Sequence, residues 1–307
     1  MPKVSALRDE SGYSLLEMLV SVALLTIVSG TVLEGIFRLT KVSATIANRT
    51  AMHSGVRNAT ELLQQEVGQA GRIALPAAVT LTDAVAAAGT NEISVSSVSG
   101  MFVGEKLVVG TGANEETVTL TDVDTTNSEI TAVFLMAHPS GAPVNVYGGF
   151  ASGVVPTTAT NGSTGSVLKI FGDVNSDGNM VYVEYTCDTN GGNLYRRSVD
   201  FTDTTKPAIS ADMSLLNNIK PNPDGTDCFT YQVESVNNVP FVVDVAITLT
   251  VETPDPDPVT GLHQEETKAL LNVSPRNVFN VWQLAGLGIS NRVQDMPASV
   301  TTLIGLP

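Results

Sequence analysis

Four features of this chain have the residue types and spacing to do chemistry: an acid inside an apolar block, an oxygen-rich turn, a cysteine pair and three histidines. The histidines, His53, His138 and His263, lie far apart, and none has the neighbours of a zinc site or a nucleophile–base pair. No glycine-rich phosphate loop with its lysine occurs, and Gly110-Thr111-Gly112 sits between strand-like runs where a hairpin turn explains it. No enzyme class is suggested. Cys187 and Cys228 are the only cysteines and form no CxxC motif. A single disulfide is the leading reading, worth roughly 4 kcal/mol by loop closure in an oxidising compartment; two free buried thiols are the alternative.

The turn Asp173-Val174-Asn175-Ser176-Asp177-Gly178 places oxygen side chains at alternate positions before a glycine that permits a sharp bend. Glu184 stands where the loop of a helix-loop-helix calcium hand carries its bidentate carboxylate. The flanking runs Val167–Phe171 and Met180–Tyr185 are strand-like, so the expectation is a calcium-binding β-turn. Its ligands would be Asp173, Asn175, Asp177 and the carbonyl of Asn179, with Glu184 at risk of being carried away by its strand. The alternative is an Asx-rich hairpin turn without metal.

The acid is Glu17. It lies in an apolar block from Leu15 to Phe37, long enough at about 1.5 Å per residue to cross a hydrocarbon core of about 30 Å. An ionisable side chain there costs about 2.5 to 3.5 kcal/mol on insertion scales, so it calls for a partner. Gly12 precedes the apolar block instead of following it, unlike the small-residue cleavage site of an ordinary secretory signal. Such an anchor survives processing.

The run Ser11-Gly12-Tyr13-Ser14-Leu15-Leu16-Glu17-Met18-Leu19-Val20 resembles the signal of type IV prepilins and type II secretion pseudopilins. The resemblance implies cleavage after Gly12 by a prepilin peptidase, methylation of the new amino terminus on Tyr13, and an assembly role for Glu17. Tyr13 replaces the family's usual phenylalanine. A carboxylate in lipid and a new terminal amine are each costly alone, and pairing them between neighbouring subunits relieves both. The segment from Gln64 to Arg72 and the run Ser274-Pro275-Arg276-Asn277-Val278-Phe279 resemble minor pilins of the PilW type and J-type pseudopilins.

Beyond Phe37, the residues Val42, Ile46, Met52, Val56, Leu63, Val67 and Ala70 keep spacings near three and four, which predicts a continued amphipathic helix. After Pro76 the pattern turns to short strands separated by Gly and Asn. The expected fold class is α+β: a long N-terminal transmembrane and amphipathic helix packed on a β-rich head, with an inserted small all-β module. The expected divisions are a leader at 1–12, the helix at 13–72, the module, barrel or sandwich, at 77–147 and a linker at 148–166. The head follows at 167–283, then a loosely attached tail at 284–307. The Pro-Asp-Pro-Asp-Pro stretch between Thr253 and His263 predicts an exposed hairpin tip.

A formal charge of -15 makes nucleic acid a poor partner, and Arg196, Arg197 and Lys206 are too small a cluster to reverse that. The reading is a minor pilin of a type IV pilus, acting in assembly, initiation or tip adhesion. Its expected partners are other pilin subunits, the peptidase and the inner membrane, which it spans once with its head extracytoplasmic before entering a surface filament. A J-type pseudopilin in a periplasmic pseudopilus is the near alternative, and a tethered calcium-dependent adhesin that never polymerises the distant one.

Overall fold

The computed structural model of the chain describes residues 12–307. The chain divides into two units, one holding α1 as far as Ala51 together with Thr253–Gln264, the other Met52–Glu252 with Glu265–Pro307. Helix α1, Leu15–Gln69, is continuous for 55 residues and is apolar enough in its first part to cross a membrane. No proline interrupts it, so the backbone ladder runs unbroken. It stops three residues short of the expected end, where Gly71 takes φ 78°, the left-handed conformation that closes helices.

In the first unit the apolar side chains of α1 from Leu15 to Ile46 are exposed. Val42 and Ile46, expected on a packed face, are among them. The Thr253–Gln264 segment is stiffened by its own side chains. Asp257 accepts hydrogen bonds from the N–H groups of Val259 at 2.7 Å and Thr260 at 3.0 Å, and from Gln264 Nε2 at 2.9 Å. It contacts α1 through Asn48, whose Nδ2 donates to the Asp255 carbonyl at 3.3 Å, and through Arg49, which donates to Gln264.

In the second unit three packed bodies share the chain. Strands β1 (Val79–Thr80), β2 (Gly89–Ser94), β3 (Lys106–Val109), β4 (Glu116–Asp124), β5 (Glu129–Phe134) and β6 (Pro143–Val146) form an antiparallel sheet in the order β1-β6-β3-β4-β5-β2. A Leu81↔Val95 bridge joins the two ends and closes the sheet into a small barrel. The alternation dictates the interior: Val118 and Leu120 point in while Thr119 and Thr121 are exposed, and Leu107, Ile130 and Phe134 fill the same core.

Two further sheets build the head. Strands β8 (Val167–Gly172), β9 (Val181–Asp188), β10 (Asn193–Asp200) and β11 (Ser214–Asn217) form one. Strands β12 (Ile219–Lys220), β13 (Phe229–Val236), β14 (Val239–Glu252) and β15 (Glu265–Val273) form the other, with β15 paired to β14. Met52, Val56, Ala59, Leu63 and Val67, at helical spacings of three and four, bury one face of α1 against Val183, Tyr185, Phe229, Val245 and Leu249. The Cys187–Cys228 disulfide ties β9 to the residue preceding β13, linking the two sheets.

Two expectations need correction. The stretch 148–166 is no linker: β7 (Gly149–Phe150), Val154 and Val155 are buried, and Phe150 packs at 4.8 Å ring to ring on Phe171. The segment 284–307 is no loose tail. Helix α2 (Arg276–Gly286) leads to β16 (Val293–Gln294), parallel to β7, and to α3 (Ala298–Gly305), whose Val300, Leu303 and Ile304 join Phe150, Phe171, Tyr182 and Phe201 in a third core. Gln294 is fully buried and imitates a strand partner, accepting from Lys106 N–H at 2.9 Å and donating to the Lys106 carbonyl at 2.8 Å.

Four glycines allow these bodies to meet the helix end. A Cβ on Gly153 would sit 2.1 Å from the Cα of Gly71, one on Gly149 2.6 Å from the Gly71 carbonyl, and one on Gly172 2.7 Å from the Arg72 carbonyl. Gly71 N–H donates to Phe171 and its carbonyl accepts from Phe150 N–H, each at 2.9 Å. Close backbone approach explains glycine at these four positions.

Candidate functional site

The segment expected to be processed and to direct assembly begins just ahead of α1. Gly12 and Tyr13 are exposed and outside regular structure, with nothing within 4 Å of a Cβ placed on Gly12. Residues 1–11, most of the expected leader, lie outside the described residues. Ser14 Oγ accepts the Glu17 N–H at 3.2 Å and Ser14 N–H donates to Glu17 Oε2 at 3.1 Å. This reciprocal pair is a capping box, and it satisfies two of the N–H groups that a helix start leaves free. The signal was present as Ser-x-x-Glu at 14–17. Glu17 therefore has a local role, as the cap of α1, besides the intersubunit one expected of it.

The oxygen-rich turn is held by contacts within the chain. Asp173 is fully buried; its Oδ1 accepts the Asp177 N–H at 3.0 Å, and Arg72 Nε lies 3.4 Å from Oδ2. Asp177 Oδ1 in turn accepts the Asn179 N–H at 2.9 Å, and Arg72 donates to Ser176 Oγ at 2.7 Å. Asn175 lines a cleft of about 470 Å³ shared with Gln64, Gln65 and Arg276. Among the described residues no group of three or more His, Cys, Asp or Glu converges on one point. Arg72 supplies the positive charge that the buried Asp173 needs.

Glu184 is not part of that turn, correcting the ligand set. It pairs with Lys169 across β8 and β9, three residue pairs from Gly172↔Val181, roughly 10 Å along the strand. Its carboxylate accepts from Tyr182 Oη at 2.8 Å, Lys206 Nζ at 3.1 Å and Arg197. Burial opposes its charge, but the Tyr182 hydroxyl, Lys206 and Arg197 outweigh burial and hold the carboxyl below the usual range. The extended rise of β9 is what carries Glu184 away from the turn.

A second buried charge cluster, absent from the sequence reading, joins α1 to the head. Glu66, 3% exposed, accepts from Tyr185 Oη at 2.5 Å and from Arg196 NH2 at 2.6 Å and Nε at 3.1 Å. Helical spacing places Glu66 beside Leu63 and Val67 on the packed side, so a charge there needs a partner from the sheet. An acid interrupting a run of buried helical positions was the available signal.

A model of the prokaryotic N-terminal methylation motif matches residues 7–33. No curated protein and no solved structure matches the chain. Proteins that bear this motif are structural subunits rather than enzymes. The matched residues contain Gly12, Tyr13, Glu17 and most of the apolar part of α1. The motif and the long apolar helix ahead of a β-rich head support a type IV pilin-like protein, a pilin- or pseudopilin-type substrate of prepilin peptidase.

Proposed function

We propose that this chain is a minor pilin: inserted in the inner membrane by α1, cut after Gly12, methylated on Tyr13, and incorporated into a type IV pilus with its head outward. One observation carries the reading: α1 exposes its apolar residues from Leu15 to Ile46 on all sides, while from Met52 onward it is built into the head. So much uncovered apolar surface requires lipid before assembly and neighbouring helices after it. Glu17, which meets no cation among the described residues, pairs with the terminal amine that processing creates on an adjoining subunit. The PilW-type reading rests on the runs Gln64 to Arg72 and Ser274 to Phe279; the two are in contact, Asn277 Nδ2 donating to the Gln69 carbonyl at 3.0 Å. The barrel favours a surface pilus over a periplasmic pseudopilus, because it adds a module suited to outward contact, including tip adhesion.

The decisive experiment is mass spectrometry of the mature N-terminus, combined with filament purification from cells carrying Glu17→Ala. A chain starting at methylated Tyr13 whose Glu17→Ala variant stays in the membrane supports the proposal. An intact residue 1, or normal activity without filament incorporation, assigns the chain to a tether that does not polymerise.

A further inference from the structure

The Thr253–Gln264 segment presents two large apolar side chains to solvent, Val259 at 70% and Leu262 at 69% exposure. They sit on a rigid frame. Pro254, Pro256 and Pro258 restrict the backbone, and Asp257 turns its carboxylate inward, onto the Val259 and Thr260 N–H groups and Gln264. The acid nearest the tip is thereby withdrawn from its outer surface. The three prolines have no N–H to leave unsatisfied, which lowers the cost of leaving water.

The contacts with α1 show which way the segment runs. Gln264 meets Arg49, Asp255 meets Asn48, and Asp257 lies beside Thr45, so the chain descends along the helix toward its N-terminal end. Arg38 and Lys41 stand just past the apolar block, at the level where long cationic side chains reach lipid phosphates. Thr45 is one helical turn beyond Lys41, about 6 Å, and the headgroup layer is itself about 6 Å deep.

We infer that the tip of Thr253–Gln264 rests in the headgroup layer of the membrane that α1 crosses, with Val259 and Leu262 inserted toward the acyl boundary. The partner is a lipid surface. It forms a second anchor beside α1 and fixes how deep the helix sits and how it is rotated before the subunit is extracted. The inference rests on the membrane-anchored reading above.

The test uses the full chain in phosphatidylcholine vesicles, with Trp282, the one tryptophan, changed to phenylalanine and Leu262→Trp introduced. Acyl-brominated lipid is expected to quench the new tryptophan by roughly half, with emission shifted to the blue. Val28→Trp in the same background controls for the span. Quenching at position 28 without quenching at 262 overturns the inference and leaves the anchor intact; quenching at neither removes the membrane reading itself. If 262 is unquenched and Leu262→Asp lowers filament incorporation, the tip belongs to a neighbouring subunit and the lipid assignment fails.

Discussion

Glu66→Ala should destabilise the union of helix and head. Glu66 is 3% exposed and receives three hydrogen bonds from Arg196 and one from Tyr185. Removing one partner of a buried pair costs about 3 to 5 kcal/mol because the survivor remains uncompensated. The Arg196 side chain is 24% exposed and recovers part of its hydration, which brings the figure to about 3 kcal/mol. The Tyr185 hydroxyl, whose ionisation is already suppressed by burial and by Glu66, loses its acceptor as well. For a body of this size the loss corresponds to a fall in Tm of roughly 6 to 10 °C. The assay is a near-UV circular dichroism melt of the full chain in detergent, comparing wild type, Glu66→Ala, Arg196→Met and the double variant. The double variant should recover part of the loss, since it leaves no unpaired charge. A fall below about 2 °C in Glu66→Ala, or strict additivity in the double variant, would refute the argument that this pair is a buried, coupled clamp.

Glu105 is fully buried and its carboxyl is pushed up to about 8, chiefly by burial, against a hydrogen bond from the Phe102 N–H. The unfolded chain ionises it in the ordinary carboxyl range, so its contribution to stability is intact in acid and is lost as pH rises toward about 8. Glu105→Gln should flatten that decline, worth on the order of 4 kcal/mol, in urea titrations run between pH 5 and 9. Gly153→Ala should abolish folding, because the added methyl would lie 2.1 Å from the Cα of Gly71; loss of the disulfide-bonded, protease-resistant head reports it. Calcium and chelator should leave the Tm unchanged, since Arg72 already balances Asp173; a calcium-dependent rise that disappears in Asp177→Ala would restore an ion to the turn.

Much of the architecture was legible because burial repeats with the period of the element. The spacing of Met52, Val56, Leu63 and Val67 announced the packed half of α1, and the alternation at 117–120 and 130–134 announced barrel strands. Val42 and Ile46 continue the same period yet are exposed, since periodicity marks an apolar stripe without saying what covers it. The third core was illegible. Its partners are far apart in sequence, from Phe150 through Tyr182 to Leu303, and α3 offers only eight residues of small and apolar type from which to recognise a packed helix. Gly149 and Gly153 read as flexible spacing because composition does not reveal a crossing of backbones. The N-terminal motif at residues 7–33 is legible from residue types alone, while the Ser14 cap lies in the shorter pattern Ser-x-x-Glu at 14–17.

The glycine crossing has a mechanical consequence. Tension carried to the end of α1 meets Gly71 and Arg72, whose main chains are bonded to Phe150, Phe171 and Asp173, with the Arg72 side chain adding its contact to Asp173. A pull on the stem is therefore divided at once between the strap carrying β7 and the first strand of the head sheet. Those links are loaded together, so detaching the stem requires several to fail in the same event instead of one after another. A pull on α1 would thus act on a parallel joint, and the close approach of main chains at Gly71, Gly149, Gly153 and Gly172 is what makes that joint short enough to be stiff.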